Sequence, residues 1–337
     1  MSRREYYRYA VARIRAMEHL LLDAGVIQRL LDASDLAEAL KVLGETCYAR
    51  SLAENVVHER YDAALEAELL SSIMELRAFV PDKELVDLFR IQYDFHNVKV
   101  ILKSSFLAKR GGKKRWELMT SLGTIPTDSL IVSVESEDYS LLPYGLPSLI
   151  PAALSIWEQT GDIVEVEKLL DAGLFAAMLK VAEGFDEPGV LKWVKARIDS
   201  ENFRNLLRLK RFGMSAQKAA AFLHSGGTVS VDTLVQLFSE PFESWGRALF
   251  HFEVGGAVSK ALDERGFDRQ IAALEKALDD YCRDAVSLAR YSQDALENVL
   301  AYLWGKEMEV KNIRIALVSK GASTGRDETR RMLRNGY

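Results

Sequence analysis

Apolar positions along this chain recur in steps of three and four residues, the spacing that lays a stripe along one face of an α-helix. Tyr7, Val11, Ile14, Met17 and Leu21 form the first stripe and predict a helix that runs until Gly25. Leu36, Leu40 and Leu43 form a second: Ser34 or Asp35 can cap its free amides, Glu38 suits the positive end of its dipole, and Gly44 stops it. Val166, Leu170, Leu174, Ala177 and Val181 step in the same way. Sustained alternation of apolar and polar residues, the mark of a half-buried strand, is hard to find, and the best short stretch is Ser129 to Val134. The pattern predicts an all-α protein.

Within that helical pattern the chain repeats itself. An acid, an Asn three residues later, an apolar residue, a base and a leucine-rich run occur as Asp94-Phe-His-Asn97-Val-Lys99, Asp199-Ser-Glu-Asn202-Phe-Arg204 and Glu309-Val-Lys-Asn312-Ile-Arg314. The three asparagines stand 105 and 110 residues apart, about one small helical bundle each. Gly123-Thr-Ile-Pro-Thr-Asp128 recurs as Gly227-Thr-Val-Ser-Val-Asp232, where the glycine can end one helix and Thr or Asp can cap the next. Glu167-Lys-Leu-Leu-Asp171 recurs as Glu275-Lys-Ala-Leu-Asp279, and Tyr61-Asp62 keeps the same phase. A first copy of the Asn pattern is missing; Arg15 aligns with its basic member, but no Asn precedes it. These offsets predict three similar helical-bundle modules at 1–110 (divergent and shorter), 111–215 and 216–337, with the C-terminal helix completing the array.

A chain of 337 residues has room for two or three domains, and 48% hydrophobic with 28% charged residues is ordinary for a folded globular protein. The net charge of −5 argues against a nucleic-acid partner, which would need a phosphate-neutralising basic surface. Cys47 and Cys282 stand far apart and outside any zinc-like cluster, which fits buried thiols in a reducing cytoplasm. Arg13, Arg15 and Glu18 interrupt the N-terminal stretch before a signal-peptide core can form. The longest weakly charged stretch, Leu141 to Trp157, holds Pro143, Pro147 and Pro151 and is too short to span a bilayer.

Candidate chemistry is sparse. No phosphate loop and no dinucleotide glycine turn occurs, so the usual backbone cradles for phosphate are missing. His58-Glu59 lacks a second His four residues on, and no G-x-S-x-G elbow appears. His19, His96, His224 and His251 are dispersed, and neither a metal nor a cofactor is expected. Two sets of residues remain. The repeated Arg15, Asn97, Lys99, Asn202, Arg204, Asn312 and Arg314 could serve the internal structure of each bundle or line a common surface. Lys109, Arg110, Lys113, Lys114 and Arg115 form the densest positive cluster, either a solvated loop or an electrostatic contact to an acidic partner or headgroup surface.

Tyr9-Ala-Val-Ala-Arg-Ile-Arg15 with its leucine-rich continuation, the repeated Asn-x-Lys/Arg markers and Glu309-Val-Lys-Asn-Ile-Arg314 resemble the C subunit of V-type ATP synthases, the counterpart of the d subunit in the eukaryotic proton pump. The resemblance covers essentially the whole chain in order, with Lys99 where the other two markers carry Arg. It implies three helical modules about a pseudo-three-fold axis, arranged as a funnel whose mouth takes the central-stalk subunits and whose base sits on the membrane ring of ion-translocating subunits. It further implies a non-catalytic rotor coupler, cytoplasmic and peripheral to the membrane, that transmits torque for proton or sodium transport. A helical-repeat scaffold without rotary function is the alternative, and an all-helical lyase or hydrolase would require the dispersed histidines and acids to converge in one pocket.

Overall fold

The computed structural model describes residues 3–55, 61–322 and 324–335, and among them the chain forms only helices and turns. The His58-Glu59 pair lies outside the described residues. In chain order the α-helices are α1 Arg3–Glu18, α2 Ala24–Asp32, α3 Leu36–Leu43, α4 Ala49–Asn55, α5 Tyr61–Phe79, α6 Lys83–Lys109, α7 Thr127–Glu135, α8 Leu146–Thr160 and α9 Ile163–Glu183. They continue as α10 Pro188–Arg211, α11 Ala216–Ala219, α12 Val231–Ser239, α13 Trp245–Ala248, α14 Gly255–Leu262, α15 Phe267–Ser287, α16 Glu297–Gly321 and α17 Arg326–Met332.

Local signals account for several element ends, and three expectations need correction. Asp35 accepts the Glu38 amide at 2.9 Å to start α3, which Gly44 closes as expected. The first helix stops at Glu18 rather than at Gly25, because Asp23 accepts the Val26 amide at 2.8 Å and caps a new helix that contains Gly25. Ser129 to Val134 lies inside α7, so its short alternation does not mark a strand. Six residues are too few to separate a two-residue from a 3.6-residue period. The third correction concerns Gly123 and Gly227, which neither end nor cap a helix.

The chain divides into two compact units, one of residues Glu84–Glu187 and the other of Met1–Lys83 with Pro188–Tyr337. In the first, α8 ends on left-handed Gly161 and Asp162 caps α9, so the two helices turn back on each other. Lys99 and Lys103 of α6 pair with Asp171 and Glu167 of α9, two rungs one turn apart that run in opposite chain directions. In the second unit the same ladder joins α10 to α15: Arg204 to Asp279 at 2.6 Å, Arg208 to Glu275 at 2.5 Å and Arg211 to Asp268 at 2.7 Å. The Glu-Lys-x-Leu-Asp marker is thus the acidic rail that meets the basic rail of the Asn marker. The long helices α6 and α16 bury residues all round, as core helices do, and Trp193 of α10 meets Trp304 of α16 edge-on at 6.0 Å.

A buried acid on each of α6 and α10 anchors the segment that leads into the next bundle helix. Asp94 accepts the Ile125 amide at 2.9 Å and the Thr124 hydroxyl at 2.7 Å. Asp199 accepts the Thr228 and Val229 amides at 3.0 and 3.3 Å, with the Thr228 hydroxyl. Glycine precedes the threonine because the carboxylate already fills the space: a Cβ at Gly123 would stand 2.4 Å from Asp94 Oδ1, and one at Gly227 2.2 Å from Asp199 Oδ1. Gly227→Ala is expected to destabilise the fold by about 1–3 kcal/mol through overpacking. Most of that loss should vanish when the same change is made in an Asp199→Ala background, a coupling that urea unfolding of the four-protein cycle will measure.

Candidate functional site

The three repeat asparagines are buried and make one and the same contact. Asn97 donates to the Thr120 carbonyl at 2.8 Å and accepts the Thr120 amide at 2.9 Å. Asn202 clasps the backbone of His224 at 2.9 and 2.8 Å, and Asn312 that of Arg334 at 3.1 and 2.8 Å. An Asn side chain carries one donor group and one acceptor, so it closes both ends of a single peptide residue as a strand neighbour would. Acid and Asn, three residues apart, share the face of the helix that holds the incoming segment.

The base stands two residues beyond the Asn, about 200° further round the helix, and so reaches a neighbouring helix instead. Lys99 and Arg204 find Asp171 and Asp279 in their own bundles. Arg314 of α16 finds Asp62 of α5 at 2.7 Å, a partner from the opposite end of the chain. Other contacts join the same two ends. Glu309 accepts the Leu22 amide and the Tyr48 hydroxyl, the latter at 2.7 Å. Leu22 lies two residues before α2, as Ile125 lies before α7 and Val229 before α12. Lys306, 2% exposed, reaches Glu309 at 2.9 Å and Glu68 at 3.3 Å and lies over the Tyr48 ring. Burial acts to discharge this lysine, but Glu309 and its neighbours outweigh burial and raise its pKa.

Arg15 does not occupy the base position of a fourth copy. It extends from α1 to the Asn298 side chain at 2.7 Å and the Arg290 carbonyl at 2.8 Å, and it pairs with Glu18. The copy sought near Arg15 is instead completed by Asp62 facing Arg314, a pairing that sequence spacing hid because the two residues stand 252 positions apart. A signal was present: Tyr61-Asp62 kept the phase of the acidic rail.

Sequence reading also missed the densest charge network. Asp279, almost fully buried, accepts from Arg204 at 2.6 Å, Lys311 at 2.5 Å and Arg334 Nε at 2.8 Å. Burial alone would raise its pKa; Arg204, Lys311 and the hydrogen bonds to it prevail and hold the carboxyl below its ordinary value. Beside it, a groove of about 1000 Å³ opens among Leu22, Ile27, Leu31, Asn312, Leu333 and Arg334.

Three of the histidines make separate local contacts. His96 meets the Leu118 carbonyl at 2.9 Å, His224 carries the backbone held by Asn202, and His251 packs edge-on against Phe250. Among the described residues no group of His, Cys, Asp and Glu is placed to hold a metal ion, and no helix is long and apolar enough to cross a membrane. Cys282 is buried, and burial pushes the half-buried Cys47 thiol up to about 11. In the basic run, Lys114 pairs with Glu135 at 2.5 Å and Arg115 with Glu117, while Arg110 lies over Trp157. Lys109 and Lys113 extend into solvent.

Because the Asp279 carboxyl is depressed in the folded state, its contribution to stability is present above its ordinary value near 3.8 and is lost as pH falls through the lower folded value. Asp279→Asn leaves buried cations without their counter-charge and is expected to destabilise by about 3–5 kcal/mol at neutral pH. Guanidinium unfolding at a series of pH values checks this. The gap between the natural protein and Asp279→Asn should narrow on acidification below pH about 4.

Matches to known proteins run along the whole chain. The profile of the family described as ATP synthase (C/AC39) subunit matches residues 10–332. The A-type ATP synthase C subunit of Methanocaldococcus jannaschii is 25% identical over 97% of this chain and 86% of its own length. The V-type ATP synthase C subunit of Thermus thermophilus is 26% identical over 95% of both chains. The V-type sodium ATPase C subunit of Enterococcus hirae is 21% identical over 96% of this chain and 97% of its own. With a profile match that runs from the first helix to the last, the chain belongs to the ATP synthase (C/AC39) subunit family.

Proposed function

We propose that this protein is a non-catalytic rotor coupler of a V-type ATP synthase or ATPase, seated between the central stalk and the membrane ring on the cytoplasmic side. It transmits torque between ATP turnover in one part of the machine and proton or sodium movement in another. The observation that supports this reading is the threefold recurrence of one buried polar device, Asn97, Asn202 and Asn312 each clasping a backbone residue from a long helix. A part that carries torque must resist deformation, and clasps of this kind tie a non-helical segment to a core helix by paired hydrogen bonds. The relatives bear names of ATP synthase and sodium ATPase subunits, which supports work within a rotary complex.

In this reading the repeat is circular. One module runs through α6–α9 and the next through α10–α15, while the third joins α16 and α17 to α1–α5 through Arg314–Asp62 and Glu309–Leu22. The edges set by sequence offsets, 1–110, 111–215 and 216–337, cut the same repeat at another phase. Three such modules about a pseudo-three-fold axis would form the funnel that the resemblance implies, with the stalk in its mouth and the ring at its base. No cofactor takes part, and the interfaces rely on shape and on polar contacts spread over both faces.

Affinity purification of the tagged chain from detergent-solubilised membranes tests the proposal. Central-stalk subunits and the membrane ring are expected to co-purify with it. A complex that contains neither would overturn the coupler reading and leave a scaffold of another kind.

A further inference from the structure

The basic run that follows α6 stands apart from the clasps and ladders that build the fold. Left-handed Gly111 and the Gly112 amide, which donates to the Leu107 carbonyl at 3.0 Å, turn the chain so that Lys109, Arg110, Lys113, Lys114 and Arg115 crowd one short loop. Lys114 and Arg115 are matched by Glu135 and Glu117. Lys109, Arg110 and Lys113 are exposed and have no ion pair among the described residues. Apolar groups frame them: Leu107 is 45% and Leu118 49% exposed, and Trp116 lies half-buried under the Lys114 ammonium at 5.1 Å.

We propose that this loop is a docking surface for an anionic lipid bilayer, with Lys109, Arg110 and Lys113 against headgroup phosphates and Leu107, Trp116 and Leu118 at the headgroup boundary. Lysine and arginine beside tryptophan and leucine is the composition that settles at a membrane interface. A protein partner would call for fixed complementary pockets, whereas these are long side chains projecting from a glycine turn, suited to mobile headgroups. The whole chain carries −5, so an anionic surface repels the molecule as a whole while it attracts this cationic loop, a difference that favours one orientation. The inference rests on the reading of a protein peripheral to a membrane complex, and it adds a lipid contact beside the protein ring.

Co-sedimentation of the full chain with vesicles tests it. Vesicles of phosphatidylcholine with about one-third phosphatidylglycerol are expected to carry the protein down, pure phosphatidylcholine vesicles are not, and added salt should release it. Lys109→Gln with Lys113→Gln should weaken binding about 25-fold, about fivefold per cation. Lys180→Gln, which removes an exposed charge elsewhere in the same unit, should leave it unchanged. Leu118→Ser should weaken binding without altering the salt dependence. Equal affinity for neutral and anionic vesicles, or a Lys109/Lys113 double substitution that binds like Lys180→Gln, would overturn the proposal. Capture of poly-glutamate with no vesicle binding would reassign the patch to an acidic protein. Any of these failures leaves recovery of the stalk and ring in affinity purification unaffected, so the two readings fail separately.

Discussion

A peptide group buried without a partner costs about 1–3 kcal/mol, and a bundle built on long, largely buried helices brings connecting segments to places where such groups would be stranded. The asparagines at 97, 202 and 312 meet this constraint by satisfying one backbone residue apiece at both its amide and its carbonyl. Much else in the repeat follows from it. The acid one turn earlier takes the next free amides, the glycine before the threonine makes room for that acid, and the base on the far side ties the helix to its neighbour.

The two faces of each long helix therefore do different kinds of work. Asp94 and Asp199 take their hydrogen bonds from neutral donors, and burial raises both carboxyls despite those bonds. Asp279 is also buried and is still held low, because Arg204, Lys311 and Arg334 converge on it. Buried ion pairs of this kind gain little over apolar packing in net stability, yet they penalise any register in which one partner loses the other. The ladders joining α6 to α9 and α10 to α15 have the same effect, since a slip by one turn would leave at least one base of each without an acid opposite. Register is thus fixed by polar contacts as well as by the apolar core.

The chain ends supply the most economical departure from the pattern. Where the first two copies use an aspartate and a continuous loop, the third uses a glutamate one methylene longer, whose carboxylate takes the Leu22 amide, the Tyr48 hydroxyl and the Lys306 ammonium. Lys306 has no counterpart in the other copies, where Ile91 and Ala196 stand at the same step before the acid. A junction between segments far apart in sequence lacks the short tether of a loop, and an added buried charge that must be paired restores its specificity.

The sequence by itself determined the helical class, a cap at Ser34 or Asp35, the threefold recurrence of acid, Asn and base, and the family resemblance, because each is carried by residues close together in the chain. It also held both rails of the ladder as separate markers. Only the tertiary structure decided how those markers pair: that Lys99 and Arg204 meet the acids of Asp171 and Asp279, that Gly123 and Gly227 yield space to a carboxylate, and that Arg314 reaches back to Asp62. The physical reason is that spacing along a helix fixes which residues share a face, whereas the partner of that face is chosen by packing, which brings together residues 72, 75 and 252 positions apart with no local sign of it.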